Sequence, residues 1–135
     1  MDYKHIFFDL DRTLWDFDKN SESAIKEIFE FHKVAQRNIS FEDFLYRYRI
    51  VNEKCWAKYR TGEMPKEELR TTRFRQTFLH FGIDDLEMSA DFGTKYIEIS
   101  PRKTNLVEGT LDVLDYLKTK DYELHIITNG FLEVQ

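Results

Sequence analysis

Ile6-Phe7-Phe8-Asp9-Leu10-Asp11-Arg12-Thr13-Leu14 decides the fold: an apolar run breaks directly into two carboxylates and a hydroxyl. Three apolar residues without alternation predict a strand buried between the layers of a parallel sheet, and ligand sites in such sheets open at the carboxyl ends of the strands. Asp9 and Asp11 are two apart, so a continuing extended backbone points both to one side, where the like charges repel unless a cation lies between them. Carboxylate and carbonyl oxygens suit a hard divalent ion, which places Mg2+ on Asp9 and Asp11. Two carboxylates can also divide the work of a phosphoryl transfer. Asp9, nearest the strand, is the nucleophile; Asp11 protonates the departing alcohol and later activates water. Thr13 is expected to fix the turn or to hydrogen-bond the neighbouring carboxylate. The bland alternative is a solvated turn after a strand. A calcium loop is excluded, because Leu14 and Asn20 stand where it requires Gly and a bidentate Glu.

Composition narrows the function classes. The chain has 135 residues, enough for one domain's core, and its 20 Lys and Arg against 25 Asp and Glu give a net charge of −5, which disfavours a nucleic-acid surface. A small anionic substrate then needs a local cationic site. Cys55 is the only cysteine, so no internal disulfide forms, and with neither a spanning segment nor a signal-like start the expectation is a cytoplasmic protein without membrane contact.

Downstream, helical periodicity dominates. Asp18 or Asn20 is expected to cap a helix through Ala24, Ile25, Ile28, Phe29 and His32. Ser40-Phe41-Glu42-Asp43 starts a long second helix that stops at Gly62. Pro65 opens a third, closed by Gly82, with Leu69, Phe74, Phe78 and Phe81 inward, and Asp84 or Asp85 caps a fourth that Pro101 ends. Residues 17–100 therefore predict a four-helix bundle. Thr110 to Lys118 forms a short helix with Leu111, Leu114 and Leu117 inward, and Tyr122 to Thr128 a second apolar strand. Strand, bundle, helix and strand make a parallel α/β core, residues 1–16 and 101–135, with a helical domain inserted in its first crossover.

The second strand runs into Thr128-Asn129-Gly130, which brings a hydroxyl and backbone N–H groups beside the acids, where phosphate oxygens can bind; a plain turn is the alternative. A helix is expected from Phe131, its N-terminal amides favouring an anion. Trp15 and Phe17 either stack on a base or pack at the junction of the two domains. Arg70, Arg73 and Arg75 read as a solvated face balancing Glu67 and Glu68. His5, His32, His80 and His125 show no zinc spacing, and Cys55 falls on an apolar stripe.

Taken together, Asp9-Leu10-Asp11-Arg12-Thr13-Leu14, the helical insertion, Leu106-Val107-Glu108-Gly109 and Ile126-Ile127-Thr128-Asn129-Gly130 resemble the haloacid dehalogenase-like (HAD) superfamily of phosphatases. Thr13-Leu14-Trp15-Asp16-Phe17 and Thr128-Asn129-Gly130-Phe131 look most like its pyrimidine 5′-nucleotidase branch. The resemblance implies a Rossmann-like α/β core with a helical cap, an Asp9 nucleophile, Asp11 as general acid and base, Thr128 on the phosphoryl oxygens, and Mg2+ on the Asp9 carboxylate and the Asp11 carbonyl. It implies a small phosphorylated metabolite as substrate, a pyrimidine nucleoside monophosphate in that branch, with a sugar phosphate or phosphoglycolate-type substrate as the alternative. The second aspartate argues against the dehalogenases, which need no protonated leaving group. The family pattern continues with a lysine and an acidic metal-binding loop. Neither can be assigned before Gln135, so the chain is expected to be an incomplete core, weakly active or inactive by itself, whose exposed edge offers a route to self-association. A helical interaction module without catalysis is the reading from a different class.

Overall fold

The computed structural model describes residues 3–135. Two parallel strands, β1 (His5–Phe8) and β2 (Glu123–Ile126), pair in the register His5↔Glu123 to Phe8↔Ile126. Between them run α1 (Phe17–Phe31), α2 (Phe41–Arg60), α3 (Lys66–His80), α4 (Leu86–Ile99) and α5 (Thr110–Lys118). The ladder extends one bond past each end, Glu123 N–H to Lys4 C=O and Ile127 N–H to Phe8 C=O, both 2.8 Å.

Capping explains where the helices start. Ser40 Oγ accepts the Asp43 N–H at the head of α2, and Asp85 accepts the Met88 N–H at the head of α4. At the head of α1 the cap is Asp16, which accepts the Lys19 N–H, so neither Asp18 nor Asn20 fills that place. Asn20 is fully buried, its amide committed elsewhere. Pro65 precedes α3 by one residue instead of opening it. Gly62 and Gly82 adopt the left-handed conformation (φ 76° and 75°) that lets the chain leave α2 and α3 sharply.

The core lies in the helices. Phe44, Phe74, Phe78 and Phe92 are completely buried, with ring centroids 5.0 Å apart for Phe44–Phe78 and Phe78–Phe92, the spacing at which tilted aromatic pairs attract. His32 closes this cluster, stacked on Phe92 and bonded through Nε2 to Asp91 at 2.7 Å. A second cluster joins Val51, Cys55, Met64 and Leu69, and burial there pushes the Cys55 thiol up from its ordinary pKa.

The sheet is otherwise. Phe7 is 59% exposed and Ile126 57%, so β1 is not the doubly covered strand that its apolar run predicts. By the strand register Phe7 and Ile126 lie on opposite faces, so neither face of the two-stranded sheet is fully covered. Leu111 is exposed on α5, whereas Leu114 and Leu117 are half-buried. Beyond β2 the expected helix is one turn, with the Val134 and Gln135 N–H groups on the Phe131 carbonyl. Among the described residues no helix is long and apolar enough to cross a membrane.

Candidate active site

The acidic loop is built around one carbonyl. Leu10 C=O accepts from the N–H groups of Thr13, Leu14 and Trp15 at 3.0–3.3 Å, while Arg12 N–H donates to Trp15 C=O at 2.9 Å. Closing so tight a loop forces Arg12 to φ 61°, an unfavourable value for a residue with a side chain. The result reverses the chain within six residues of β1 and sends it into α1.

Two connecting segments then run side by side. Val107 N–H donates to Leu14 C=O and Asp16 N–H to Asn105 C=O, both 2.9 Å, and the Trp15 indole N–H donates to Lys103 C=O at 2.9 Å. Asn20 completes the seam from inside α1: its Nδ2 donates to Asn105 C=O (2.8 Å) and its Oδ1 accepts Asn105 N–H (3.0 Å) and Nδ2 (2.8 Å). The seam fixes how the helical bundle sits over the carboxyl end of the sheet.

There a cleft of about 90 Å³ separates the two parts, lined by Asp11, Trp15, Phe17, Trp56, Arg73 and Gly130, among others. Asp9 is exposed; its Oδ1 accepts its neighbour's N–H from Leu10 at 2.8 Å, leaving Oδ2 unbonded. Asp11 is half-buried, and its Oδ2 accepts from Gln135 Nε2 at 3.1 Å. Burial above all, with the charge of Asp9 added, raises the Asp11 pKa above its ordinary value, against the opposing effects of the Gln135 bond and Arg12. Arg12 does not bridge the acids, because its guanidinium donates to both carboxylate oxygens of Asp18 at 3.1–3.3 Å.

The other residues singled out from sequence divide. Thr13 gives its backbone N–H to the loop, but its hydroxyl bonds no carboxylate. Thr128 is exposed, two residues past the end of β2, and its Oγ1 accepts Gly130 N–H at 3.3 Å. Gly130 lines the cleft; Asn129 is exposed and does not. Trp15 and Phe17 meet edge to face and line the cleft as well, so junction packing and contact with a ligand are not alternatives.

Sequence reasoning missed the arginines. The solvated-face reading of Arg70, Arg73 and Arg75 fails for two of them: Arg73 is 5% exposed, and Arg70 pairs with Glu133, which Lys66 also holds at 2.5 Å. Arg75 does lie outside, on Asp84. Spacing carried the signal, since Leu69, Arg73 and Thr77 recur every four residues along the buried face of α3. Phe131, stacked on Trp56 with centroids 5.3 Å apart, is a further contact between the two parts.

The family model of haloacid dehalogenase-like hydrolases matches residues 3–135. The chain belongs to that family. It is 32% identical over 136 residues to the pyrimidine 5′-nucleotidase PynA of Streptococcus pneumoniae and 27% identical over 135 to the pyrimidine 5′-nucleotidase YjjG of Escherichia coli. These alignments cover 100% of this chain but 54% and 55% of the relatives, so the chain spans about half the length of the curated relatives it matches. The fold matches, with a TM-score of 0.83 and 26% identity, the crystal structure of the HAD-hydrolase YfnB from Bacillus subtilis bound to magnesium, which reveals interdomain movement in that protein; 100% of this chain and 56% of YfnB are covered. Among the described residues the HAD chain thus has a small parallel sheet and five α-helices, a mixed α/β fold.

Proposed function

We propose that this HAD chain carries the nucleophile and the acid/base pair of an Mg2+-dependent phosphomonoester hydrolase that works through an aspartyl-phosphate, with pyrimidine nucleoside monophosphates as substrates. The observation that carries the proposal is the pairing of Asp9 and Asp11 at the carboxyl end of β1, with β2 parallel beside it and the Asp11 carboxyl pushed upward. The two pyrimidine 5′-nucleotidases among its relatives support the substrate class.

In this reading Asp9 Oδ2 attacks phosphorus while the Leu10 N–H holds Oδ1. The bond from phosphorus to the ester oxygen breaks, and Asp11 gives its proton to the departing alkoxide. A raised pKa suits that role, because the protonated form persists to higher pH than in an ordinary aspartate. Asp11 then takes a proton from water as the water attacks the acyl phosphate, releasing phosphate and restoring Asp9. The Thr128 hydroxyl, which accepts from Gly130, keeps its own proton to donate to a phosphoryl oxygen.

The residues present fit a hard cation. The donor set is all oxygen, and the two acids lack a fixed counter-ion because Arg12 faces Asp18. The Asp9 carboxylate and the Asp11 carbonyl would hold Mg2+, which when bound supplies charge neutralisation for nucleophile and phosphoryl group. Thermal melts with Mg2+ and then fluoroberyllate test the site: each addition is expected to raise Tm, and Asp9→Asn to remove the second increment. Indifference of the unsubstituted chain to both ligands would refute the reading.

A further inference from the structure

We propose that the guanidinium of Arg73 is the group that reads the carbonyl edge of a pyrimidine ring held in the cleft between helical bundle and sheet. The proposal rests on the nucleotidase reading above and goes beyond it in naming the residue that selects the base.

Arg73 combines deep burial with a place on the cleft wall. Arg12, Arg37, Arg49, Arg60, Arg70 and Arg75 all face carboxylates, at exposed or half-exposed sites. Arg73, 5% exposed, is the most buried of the nine arginines, and among the described residues no carboxylate pairs with it. Its Nη1 donates to Asn52 Oδ1 at 3.2 Å, and its Nε, like those of Arg47 and Arg70, is buried without an acceptor. The plane is held in place: the guanidinium carbon lies 4.7 Å from the Tyr96 ring centre and 5.3 Å from that of Phe74. A dehydrated cation with unmatched donors is costly to keep unless something supplies acceptors, and a stacked guanidinium is preorganised to offer its donors in one plane.

What would supply them follows from the cleft. Arg73 and Asp11 line the same space, which Asp9 does not, so an acceptor near Arg73 belongs to a molecule that also reaches Asp11. The remaining walls include Trp15, Phe17 and Tyr96, and the surface they offer is largely apolar. Such walls suit a flat ring better than a second phosphate, which they would strip of water without replacing it. A ring bearing carbonyl oxygens beside ring nitrogens meets both demands, and pyrimidine bases are such rings. Bonding a substrate carbonyl to an otherwise unmatched donor also gives discrimination, since a ligand without that oxygen leaves the donor unpaired.

Calorimetric titration of the chain in Mg2+ decides the matter, with orthophosphate, ribose 5-phosphate and uridine 5′-monophosphate as ligands. The expected order has the nucleotide tightest, by roughly 10- to 100-fold over ribose 5-phosphate, the range of one hydrogen bond to a charged group. Arg73→Gln should erase that advantage while leaving ribose 5-phosphate and orthophosphate affinities unchanged. Arg73→Lys, which keeps the charge but loses the planar fork, should fold as the parent does and lose most of the same advantage. That outcome separates base reading from a merely structural role, and it serves alone if Arg73→Gln fails to fold. A nucleotide that binds no tighter than ribose 5-phosphate, or an advantage that survives in Arg73→Lys or Arg73→Gln, would overturn the assignment of Arg73 and leave the phosphatase reading standing. Failure of all three ligands to bind would overturn both.

Discussion

Replacing Asn20 by Ala strikes the seam between the two parts of the molecule without touching an acid or a cleft residue. Asn20 is fully buried and its carboxamide makes three hydrogen bonds to Asn105, 85 residues away in sequence. Three neutral bonds at a net contribution of about 1 kcal/mol each set an upper figure of about 3 kcal/mol. Asn105 is itself exposed, and its carbonyl keeps the Asp16 N–H, so water and that bond recover part of the loss. The expected destabilisation is therefore about 2 kcal/mol, or roughly 6–10 °C in Tm for a chain of this size. Urea unfolding followed by tryptophan fluorescence suits the measurement, because one of the two tryptophans, Trp15, has its indole N–H bonded to Lys103 C=O in the same seam. Lys19→Ala, one residue earlier and exposed, is the control and should change stability by less than about 0.5 kcal/mol. An Asn20→Ala loss as small as the control's would refute the claim that this amide ties the bundle to the sheet.

Three other outcomes are expected. Asp11→Asn should stabilise the chain at neutral pH: the Asp11 pKa is raised by folding, so its ionised form costs stability above the folded pKa, and the mutant's gain should vanish as pH falls below 3.8, the ordinary value; a pH series of melts checks the sign. Gly93→Ala should destabilise by about 1–2 kcal/mol although Ala favours helix by about 1 kcal/mol, because the new Cβ would stand 2.7 Å from the Arg70 carbonyl of α3; chemical denaturation measures the net. Glu133→Gln should loosen the hold of Lys66 and Arg70 on the segment after β2, and with it the stacking of Phe131 on Trp56, seen as a shift in tryptophan emission.

The elements were legible in the sequence because their signals are local. Ser40 and Asp43, the left-handed glycines at 62 and 82, and the Phe74–Phe78 spacing on α3 each act within about one turn of helix. What stayed hidden depends on partners far along the chain. Asn20 reads as a helix cap by residue type, yet the sites at 20, 24 and 28 lie on one buried face, and its true partner is Asn105. Arg73 reads as solvent-facing by charge, although the same period of four through Leu69 and Thr77 puts it inside. In both cases periodicity outranked residue identity, since a polar side chain on the apolar face must be buried and so must find an acceptor or donor there. The strands failed in the opposite sense. An unalternated apolar run states which surfaces suit burial, but whether they are buried depends on how many strands and helices stand around them.

That distinction bears on how the site works. Asp9 and Asp11 hang from the end of a two-stranded sheet, an element too small to be rigid through its own ladder. The order at the loop comes from elsewhere, from the Leu10 carbonyl with its three donors and from the seam through Leu14, Asp16, Asn20 and Asn105 into a well-packed helical bundle. The bundle is thus both a wall of the cleft and the support of the acids, and disturbing either role disturbs the other. Packing mutations deep in the bundle, such as Phe92→Ala, should accordingly change ligand binding at the acids as well as stability by about 3–5 kcal/mol. Phosphate affinity unchanged at a temperature where the Phe92→Ala chain remains folded would show that the acidic loop holds its shape without the bundle, and the seam would then be a tether and not a support.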